Sequence, residues 1–386
     1  MFYIAGFDPF GPRRYRELHR REGARQAEIS GYRFSLRGVE GDPRRWRTKL
    51  IDRGRTTEAE IEFLGWDDLV RGAIRPSLWR IYGLMLRTLW LYGRSGAIRA
   101  MAKLSRGPLI AGLVPVAVML FYLLYAGLAG GAAAVLAGQL GAPTVLSAGL
   151  GLLVATAVMM ATWAFEEQAM VYFMVNDLGA NAAADGAYPP ALDARLTEFA
   201  ERIAATMEDP ALDEVLVVGH SSGAQLAVTA LARARRQSAG PASLLTLGQS
   251  IAMLSFLPRA TELRADLARI ADDPQIFWLD VTAPADGASF ALTDPVATCR
   301  ARGRVGESPL VISAAFSHTM DAARLARDRW RFLTLHFQYL CAFERPGAFD
   351  YFQITGGGQS LATRFAGRRS SPSLRAEPLA PVVHPG

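Results

Sequence analysis

The segment GHSSG at residues 219–223 carries the side chain best suited to covalent chemistry. The β-branched run EVLVV precedes it and the helix-like AQLAVTALARARR follows it, so the pattern is strand, sharp turn, helix. Such a turn exposes a serine at the carboxyl edge of a sheet. Gly219 and Gly223 lie two residues before and two residues after Ser221, the positions where a side chain would clash between the strand and the helix. Ser222 is a poorer candidate, because the residue two positions before it is His220, whose ring would obstruct the turn. The spacing predicts Ser221 as a nucleophile for acyl transfer.

A serine hydroxyl needs a base to remove its proton, and the base needs an acid to orient it. On this strand–turn–helix scaffold the chain order is serine, acid, histidine. The later segment QIFWLDVTAPADG contains Asp280, inside an apolar run, and Asp286, beyond the end of that run. We predict Asp286 as the acid because it lies in a loop at the expected edge. Asp280 and Asp294 are the alternatives, and Asp294 is equally explained as a turn residue before Pro295.

The base has few candidates because the chain contains five histidines. His19 precedes the serine, and His384 lies near the end of the sequence. His220 lies in the strand–turn–helix junction at residues 219–223, which we call the elbow. His318 directly follows the strand-like PLVISAAFS, as a base in a post-strand loop would. His336 lies in TLHFQYL, where apolar neighbours would hold a neutral imidazole. Spacing alone leaves both open.

An oxyanion formed during acyl transfer requires N–H donors at fixed positions. The N–H of Ser222, at the start of the helix after the elbow, is one candidate. The early strand and loop FYIAGFDPFGP supplies the second, the N–H of Phe7, because Gly6 allows close backbone approach. Asp8 and Arg13 are candidates to shape this loop.

Two long apolar stretches, Leu109–Leu128 and Val145–Phe165, contain no charged residue. Each is about 20 residues long, enough to cross a bilayer core, so we predict a transmembrane hairpin. Arginine and lysine precede the first stretch and are absent from the link, which places both ends in the cytoplasm. In the preceding residues 76–93, Trp79, Tyr82, Leu86 and Trp90 recur at helical spacing. That pattern fits an interfacial amphipathic helix, and an ordinary packed helix fits equally.

The composition narrows the classes of function. The 386 residues carry a net charge of +6, with much of the arginine before the hairpin. Membrane topology explains that bias, and because no nucleic-acid motif accompanies it, we predict no nucleic-acid partner. The two cysteines have neither CxxC nor metal-ligand spacing, which favours a reducing compartment without a disulfide. We predict no metal and no cofactor.

Alternating strand-like and helix-like segments on both sides of the hairpin predict an α/β fold with a mostly parallel sheet flanked by helices. The predicted division is as follows: residues 1–75 and 171–365 form one catalytic domain, 76–170 form the interfacial helix and membrane insertion, and 366–386 form a disordered tail. The tail prediction depends on its richness in proline and serine.

Over Met1–Val70 and Leu192–Gly358 the chain resembles the α/β-hydrolase superfamily, notably lipases and esterases. The elbow GHSSG, the strand LLTLG and the acid loop WLDVTAPAD carry this resemblance. The start GFDPFGPRRY, the inserted hairpin and the late HFQYL are similar to those of poorly characterised bacterial membrane-associated hydrolases. His336 and Tyr339 have the H-x-x-Y spacing of lipases whose catalytic histidine stands there, which favours His336 over His318. Ala5-Gly6 departs from the His-Gly of many lipases.

These inferences together predict a two-pass protein of the bacterial inner membrane with a cytoplasmic serine hydrolase domain. Ser221, His336 and Asp286 would cleave carboxylic esters through an acyl-enzyme. A lipid or other acyl ester from the bilayer is the expected substrate, because the hairpin insertion would bring membrane and active site close together. A thioesterase or acyltransferase with the same triad is one alternative. A non-catalytic membrane scaffold with the same fold is the other.

Overall fold

The computed structural model describes residues 1–74, 77–164, 170–301 and 307–381. Eight strands form one sheet in this part of the chain. In chain order they are β1 (Phe2–Ile4), β2 (Arg33–Val39), β3 (Asp42–Asp52), β4 (Arg55–Phe63), β5 (Leu216–His220), β6 (Ala242–Leu247), β7 (Ile276–Thr282) and β8 (Leu310–Ser313).

The strand order across the sheet is β2-β3-β4-β1-β5-β6-β7-β8. Of these described strands, β3 alone runs opposite to the other seven, and the pairs from β4 through β1 to β8 are all parallel. The carboxyl ends of β1, β5, β6, β7 and β8 therefore meet at one edge. In open parallel sheets, ligand sites lie at this edge.

Helices connect the parallel strands. Before the second half of the sheet they are α1 (Pro12–Ser30), α2 (Asp67–Ala73), α3 (Leu78–Arg94), α4 (Ala97–Leu104), α5 (Arg106–Gln139), α6 (Thr144–Ala164), α7 (Val171–Ala182) and α8 (Pro190–Met207). The later helices are α9 (Gly223–Ala234), α10 (Ile251–Ser255), α11 (Thr261–Asp272), α12 (Pro295–Thr298), α13 (Phe316–Thr319), α14 (Ala322–Asp328), α15 (Phe332–His336), α16 (Tyr351–Gly356) and α17 (Leu361–Arg364).

The predicted α/β class with a mostly parallel sheet is confirmed. The apolar runs in FYIAGF, EVLVV, LLTLG, QIFWLDVTA and PLVISAAF predict strands and correspond to β1, β5, β6, β7 and β8. The alternating segment AEIEFLGW at residues 59–66 also predicts a strand and corresponds to β4. In β5 and β6 every residue is buried, as expected for strands covered by helices on both faces. The hairpin of β2 and β3 and the long helix α1 were not predicted.

The described chain divides into two compact units. The larger unit comprises Met1–Gly72, Tyr92–Leu109 and Asn181–Gly386 and contains the sheet. The smaller unit comprises Ala73–Leu91 and Ile110–Ala180. Residues 92–109 thus belong to the larger unit, whereas the sequence assigned them to the membrane insertion. The reason is local packing: Ala97, Met101 and Leu104 of α4 are buried there.

In the smaller unit, α5 and α6 are long and apolar enough to cross a membrane. Helix α5 has 34 residues and continues through the Gly/Ala-rich segment that the sequence assigned to the link. Close contact between the helices accounts for this, because a Cβ on Gly130 would lie 2.5 Å from the carbonyl oxygen of Gly151. The link is thus confined to residues 140–143. Phe165, the predicted end of the second span, lies outside the described residues.

The start of the hairpin is packed against α3 and α7 within the smaller unit. Ile81, Tyr82 and Met85 of α3 share a buried cluster with Met119 and Tyr172. The Tyr82 hydroxyl donates to the Met119 carbonyl at 2.9 Å. Tyr82 is therefore buried, although the sequence pattern put it on the same stripe as Trp79, Leu86 and Trp90. Those three side chains are exposed.

Residues 366–381 run along the larger unit, where the sequence predicted a disordered tail. The N–H of Asp294 donates to the Arg375 carbonyl at 2.8 Å, and the N–H of Arg375 donates to the Leu292 carbonyl at 2.8 Å. Ala380 is buried and its N–H donates to Thr298. Main-chain bonding of this kind needs no large apolar side chains, which is why composition did not predict it. Residues 382–386 lie outside the described part.

Candidate active site

Ser221 lies at the junction of a buried strand and a buried helix. It follows β5 directly and has a φ of 59°, in the left-handed region that costs a non-glycine residue about 1–2 kcal/mol. Its N–H donates to the carbonyl of Leu247, the last residue of β6, at 2.9 Å. A non-glycine residue held in this region by its surroundings is typical of functional sites.

Glycine is required on both sides of this junction. A Cβ on Gly219 would lie 2.6 Å from the carbonyl oxygen of Gly223. A Cβ on Gly223 would lie 2.5 Å from the carbonyl oxygen of Ala5, which follows β1. Real side chains do not tolerate such distances from backbone atoms. The two glycines thus let the turn close and let α9 approach the neighbouring strand.

Asp286 and His336 form a buried pair. His336 Nδ1 lies 2.9 Å from Asp286 Oδ2, although 50 residues separate them in sequence. The Tyr339 hydroxyl donates to the same carboxylate oxygen at 3.0 Å, and the N–H of Ala288 donates to the other oxygen at 3.0 Å. Burial by itself raises the pKa of Asp286, but the charge and hydrogen bond of His336 outweigh it and the pKa lies below its ordinary value. The carboxylate is therefore ionised and orients the imidazole.

The pair lies beside the elbow. The N–H of Ser221 donates a hydrogen bond to the carbonyl of Leu247. The residue after Leu247, Gly248, lies against His336, because a Cβ on Gly248 would be 3.2 Å from His336 Cε1. The rings of His220 and His336 have centroids 4.8 Å apart. The loops after β5, β6 and β7 thus meet the segment that carries His336 at the carboxyl edge of the sheet.

The alternative acids and base have other surroundings. Asp280 is buried in β7, where it accepts a hydrogen bond from Thr246 at 2.5 Å. Burial raises its pKa to about 8. Asp294 caps the short helix α12 by accepting from the N–H groups of Val296 and Ala297. His318 is exposed on α13. Of the candidates, the structure brings together Asp286 and His336.

The loop after β1 lies against the elbow. A Cβ on Gly6 would lie 2.8 Å from Ser221 Cβ and 3.2 Å from Ser221 Oγ. The N–H of Phe7 donates to the Ser222 hydroxyl oxygen at 2.8 Å. The N–H groups of Phe7 and Ser222, the predicted oxyanion donors, therefore both lie at this junction. The sequence did not predict that the Phe7 N–H donates a hydrogen bond to the Ser222 side chain. Ser222 occupies the N-cap position of α9 without a side-chain capping bond, and the first N–H groups of any helix have no acceptor within it.

Asp8 is bonded both within this loop and to α1. It accepts from the N–H of Phe10 at 2.8 Å and from the Tyr15 hydroxyl at 2.7 Å. Arg14, rather than Arg13, provides its ion pair at 3.4 Å. The loop is therefore fixed onto α1, an element that sequence periodicity did not reveal.

Sequence reasoning missed one contact at the site. His220 Nε2 lies 2.9 Å from the main-chain oxygen of His336. Nothing in local sequence links these residues, since they are 116 positions apart. Among the described residues there is no group of three or more His, Cys, Asp or Glu side chains arranged to hold a metal ion.

Comparisons of the chain with models of protein families, with the curated proteins and with the solved structures give no match.

Proposed function

We propose that the protein is a serine hydrolase of the α/β-hydrolase type that cleaves carboxylic esters. The observation that carries the proposal is the meeting, at one sheet edge, of a left-handed Ser221 and a buried Asp286–His336 pair. Ser221 holds this conformation at the turn between β5 and α9, where a nucleophile elbow requires it. A buried carboxylate bonded to Nδ1 is the arrangement that orients an imidazole as a base.

The reaction follows from the bonding of the imidazole. Because Nδ1 faces the ionised Asp286, it holds the ring proton and Nε2 is left as acceptor. Nε2 removes the Ser221 hydroxyl proton as the oxygen attacks the ester carbonyl. His336 then returns the proton to the leaving alcohol, and an acyl-enzyme remains. Water, activated by the same nitrogen, attacks the acyl-enzyme and releases the acid.

The oxyanion is bound by the N–H groups of Ser222 and Phe7 in this proposal. The Phe7 N–H donates to the Ser222 hydroxyl in the resting protein, so it must turn from that oxygen to the substrate. Removing one donor from an oxyanion hole costs roughly 3–4 kcal/mol of barrier. The short distance from Gly6 to Ser221 supports this assignment.

We further propose that the protein spans the bacterial inner membrane twice and takes a lipid or other acyl ester as substrate. The support is the length and apolarity of α5 and α6 together with Arg99, Lys103 and Arg106 just before the hairpin. Within the larger unit, Gly107 in the first turn of α5 lies against the acid loop, with its Cβ position 3.2 Å from the Gly287 oxygen. The residue after Asp286 thus adjoins the start of the first apolar helix.

Helix α3 is proposed to lie in the headgroup region. Its Tyr82 and Met85 pack inward, while Trp79 is 84% exposed and Leu86 and Trp90 are 62% exposed. Arg80 and Arg87 are exposed on the same helix. Tryptophan and arginine side by side suit the boundary between acyl chains and anionic headgroups.

Activity-based labelling of membranes with a fluorophosphonate probe tests the chemistry. We expect wild-type protein to label, Ser221→Ala to lose labelling completely, and His336→Gln to label about 10²–10⁴ times more slowly. His318→Gln is the matched control and should label at the wild-type rate, because His318 is an exposed side chain of α13.

Absence of labelling with Ser221 intact and the protein folded would contradict the hydrolase and favour the non-catalytic scaffold. If the wild type labels, a panel of oxygen esters and thioesters, with and without an acceptor alcohol, separates the esterase from a thioesterase or acyltransferase.

A further inference from the structure

His220, the residue before the nucleophile, contacts the candidate base directly. It is buried, and its ring lies 4.8 Å from the ring of His336 at an angle of 36°. Its Nε2 is 2.9 Å from the main-chain oxygen of His336. A carbonyl oxygen only accepts hydrogen bonds, so Nε2 must carry the proton and donate it.

The accepting carbonyl lies at a structurally weak point. His336 is the last residue of α15, a helix of five residues, and the chain continues as the 3₁₀ turn Phe337–Leu340. So short a helix has little stability of its own. Its position depends on what its residues contact.

His336 is held at its ring by Asp286, through Nδ1, and Asp286 is itself held by Tyr339. These contacts fix the ring of the base relative to the acid loop. Neither of them fixes the base relative to the elbow. The bond from His220 does so, because His220 and Ser221 are consecutive residues and the bond ends on the main chain of His336.

We propose that His220 is a positioning residue, whose ring donates a hydrogen bond to the His336 main chain and thereby sets the distance between nucleophile and base. This inference rests on the proposed hydrolase. It gives a role to the second residue of the elbow motif that the nucleophile assignment leaves unused.

The electrostatics of the ring suit this role. Burial, and next to it the neighbouring His336, lower the pKa of His220 to about 3. His220 therefore stays neutral at working pH, keeps the Nε2 proton for the carbonyl, and adds no positive charge beside the base.

The test compares donors at position 220 in the full-length, membrane-embedded protein. His220→Phe keeps an aromatic ring without the donor, and His220→Gln supplies an amide N–H in its place. We expect His220→Phe to lower the fluorophosphonate labelling rate and kcat about 10²-fold, as misplacement by about 1 Å can do. KM should change little. His220→Gln should recover most of the loss.

His19→Phe is the matched control. His19 is also buried and also has a pKa lowered to about 3 by burial, but its Nδ1 accepts from Trp46 within the core. A general effect of replacing a buried histidine would appear in both variants, whereas a positioning effect appears only at His220. Should His220→Phe fail to fold, His220→Met takes its place in the comparison.

The outcomes separate the two proposals. A wild type that labels, together with a folded His220→Phe or His220→Met that labels equally fast, overturns the positioning role and leaves the hydrolase intact. Equal slowing in His220→Phe and His220→Gln also overturns it, because the donor would then be irrelevant. A wild type that does not label overturns both.

Discussion

Tyr339 and His336 both contact the same oxygen of Asp286. Two donors on one carboxylate oxygen hold it in a single orientation and keep negative charge at the atom that faces the imidazole. The pKa of Tyr339 is itself raised, first by burial and then by the Asp286 charge, so the phenol remains a donor. The Tyr339 hydroxyl is therefore bonded to Asp286, the proposed acid of the triad.

Replacing Tyr339 by phenylalanine removes this donor while keeping the ring packed against Phe316. A hydrogen bond to a charged group is worth about 1.5–3 kcal/mol, so we expect kcat/KM to fall roughly tenfold or more. Stopped-flow ester hydrolysis measures the change. Tyr351→Phe, which alters another buried tyrosine away from Asp286, should leave the rate unchanged. An equal loss in both variants would argue against the assignment.

Asp280 predicts a pH dependence of stability. Its folded pKa is about 8 because it is buried, against an ordinary value of 3.8. The folded protein therefore keeps a proton that the unfolded chain has released, and this contribution is lost as pH rises from about 4 through 8. In Asp280→Asn the acceptor of the Thr246 hydroxyl remains but the titration is gone.

Thermal unfolding in detergent at pH 5 and pH 8 checks this prediction. The wild type should lose stability relative to Asp280→Asn between these two values. Parallel behaviour of the two proteins would show that Asp280 does not titrate in this range.

At the scale of elements, the elbow was predictable because strand, turn and helix are contiguous in sequence and each has a local signal. The apolar runs that become β5 to β8 gave the sheet for the same reason. Sequence spacing could not decide whether His336 or His318 is the candidate base, because the answer depends on where α15 packs. Only a resemblance in the spacing to Tyr339 favoured His336.

The hairpin of β2 and β3 was missed for a different reason. Trp46, Thr48 and Leu50 alternate as buried residues, but arginine and lysine occupy the positions between them. Such charge density resembles a solvated loop more than a strand. Ion pairs between β3 and the neighbouring strand β4, such as Arg47 with Glu60, neutralise charge on the exposed face of β3.

Gly223 allows a test of the strand–turn–helix elbow at residues 219–223. In Gly223→Ala the new Cβ would lie 2.5 Å from the Ala5 oxygen, so α9 or β1 has to move. We expect a loss of about 1–3 kcal/mol of stability, the usual range for overpacked cores, and loss of labelling. Gly72→Ala, on α2 with no atom within 4 Å of the added Cβ, should fold and label normally. Denaturant unfolding and probe labelling together measure both effects.

At the scale of the whole molecule, the proposed topology places residues 140–143, the link between α5 and α6, on the far side of the membrane from the hydrolase. In a background with Cys299 and Cys341 replaced by alanine, Ala142→Cys should react with an impermeant maleimide in intact cells. Arg37→Cys, on β2, should react only after permeabilisation. The reverse pattern would contradict the two-pass orientation.

The place of β1 between β4 and β5 has a consequence for biosynthesis. β1 and β4 leave the ribosome early and can pair at once, whereas β5 follows only after both apolar helices. Until β5 is synthesised, one edge of β1 has no partner strand, and the turn at Ser221 that Gly6 contacts does not yet exist. Completion of the nascent sheet thus waits until α5 and α6 have been synthesised, so the candidate active site cannot assemble before these two apolar helices exist.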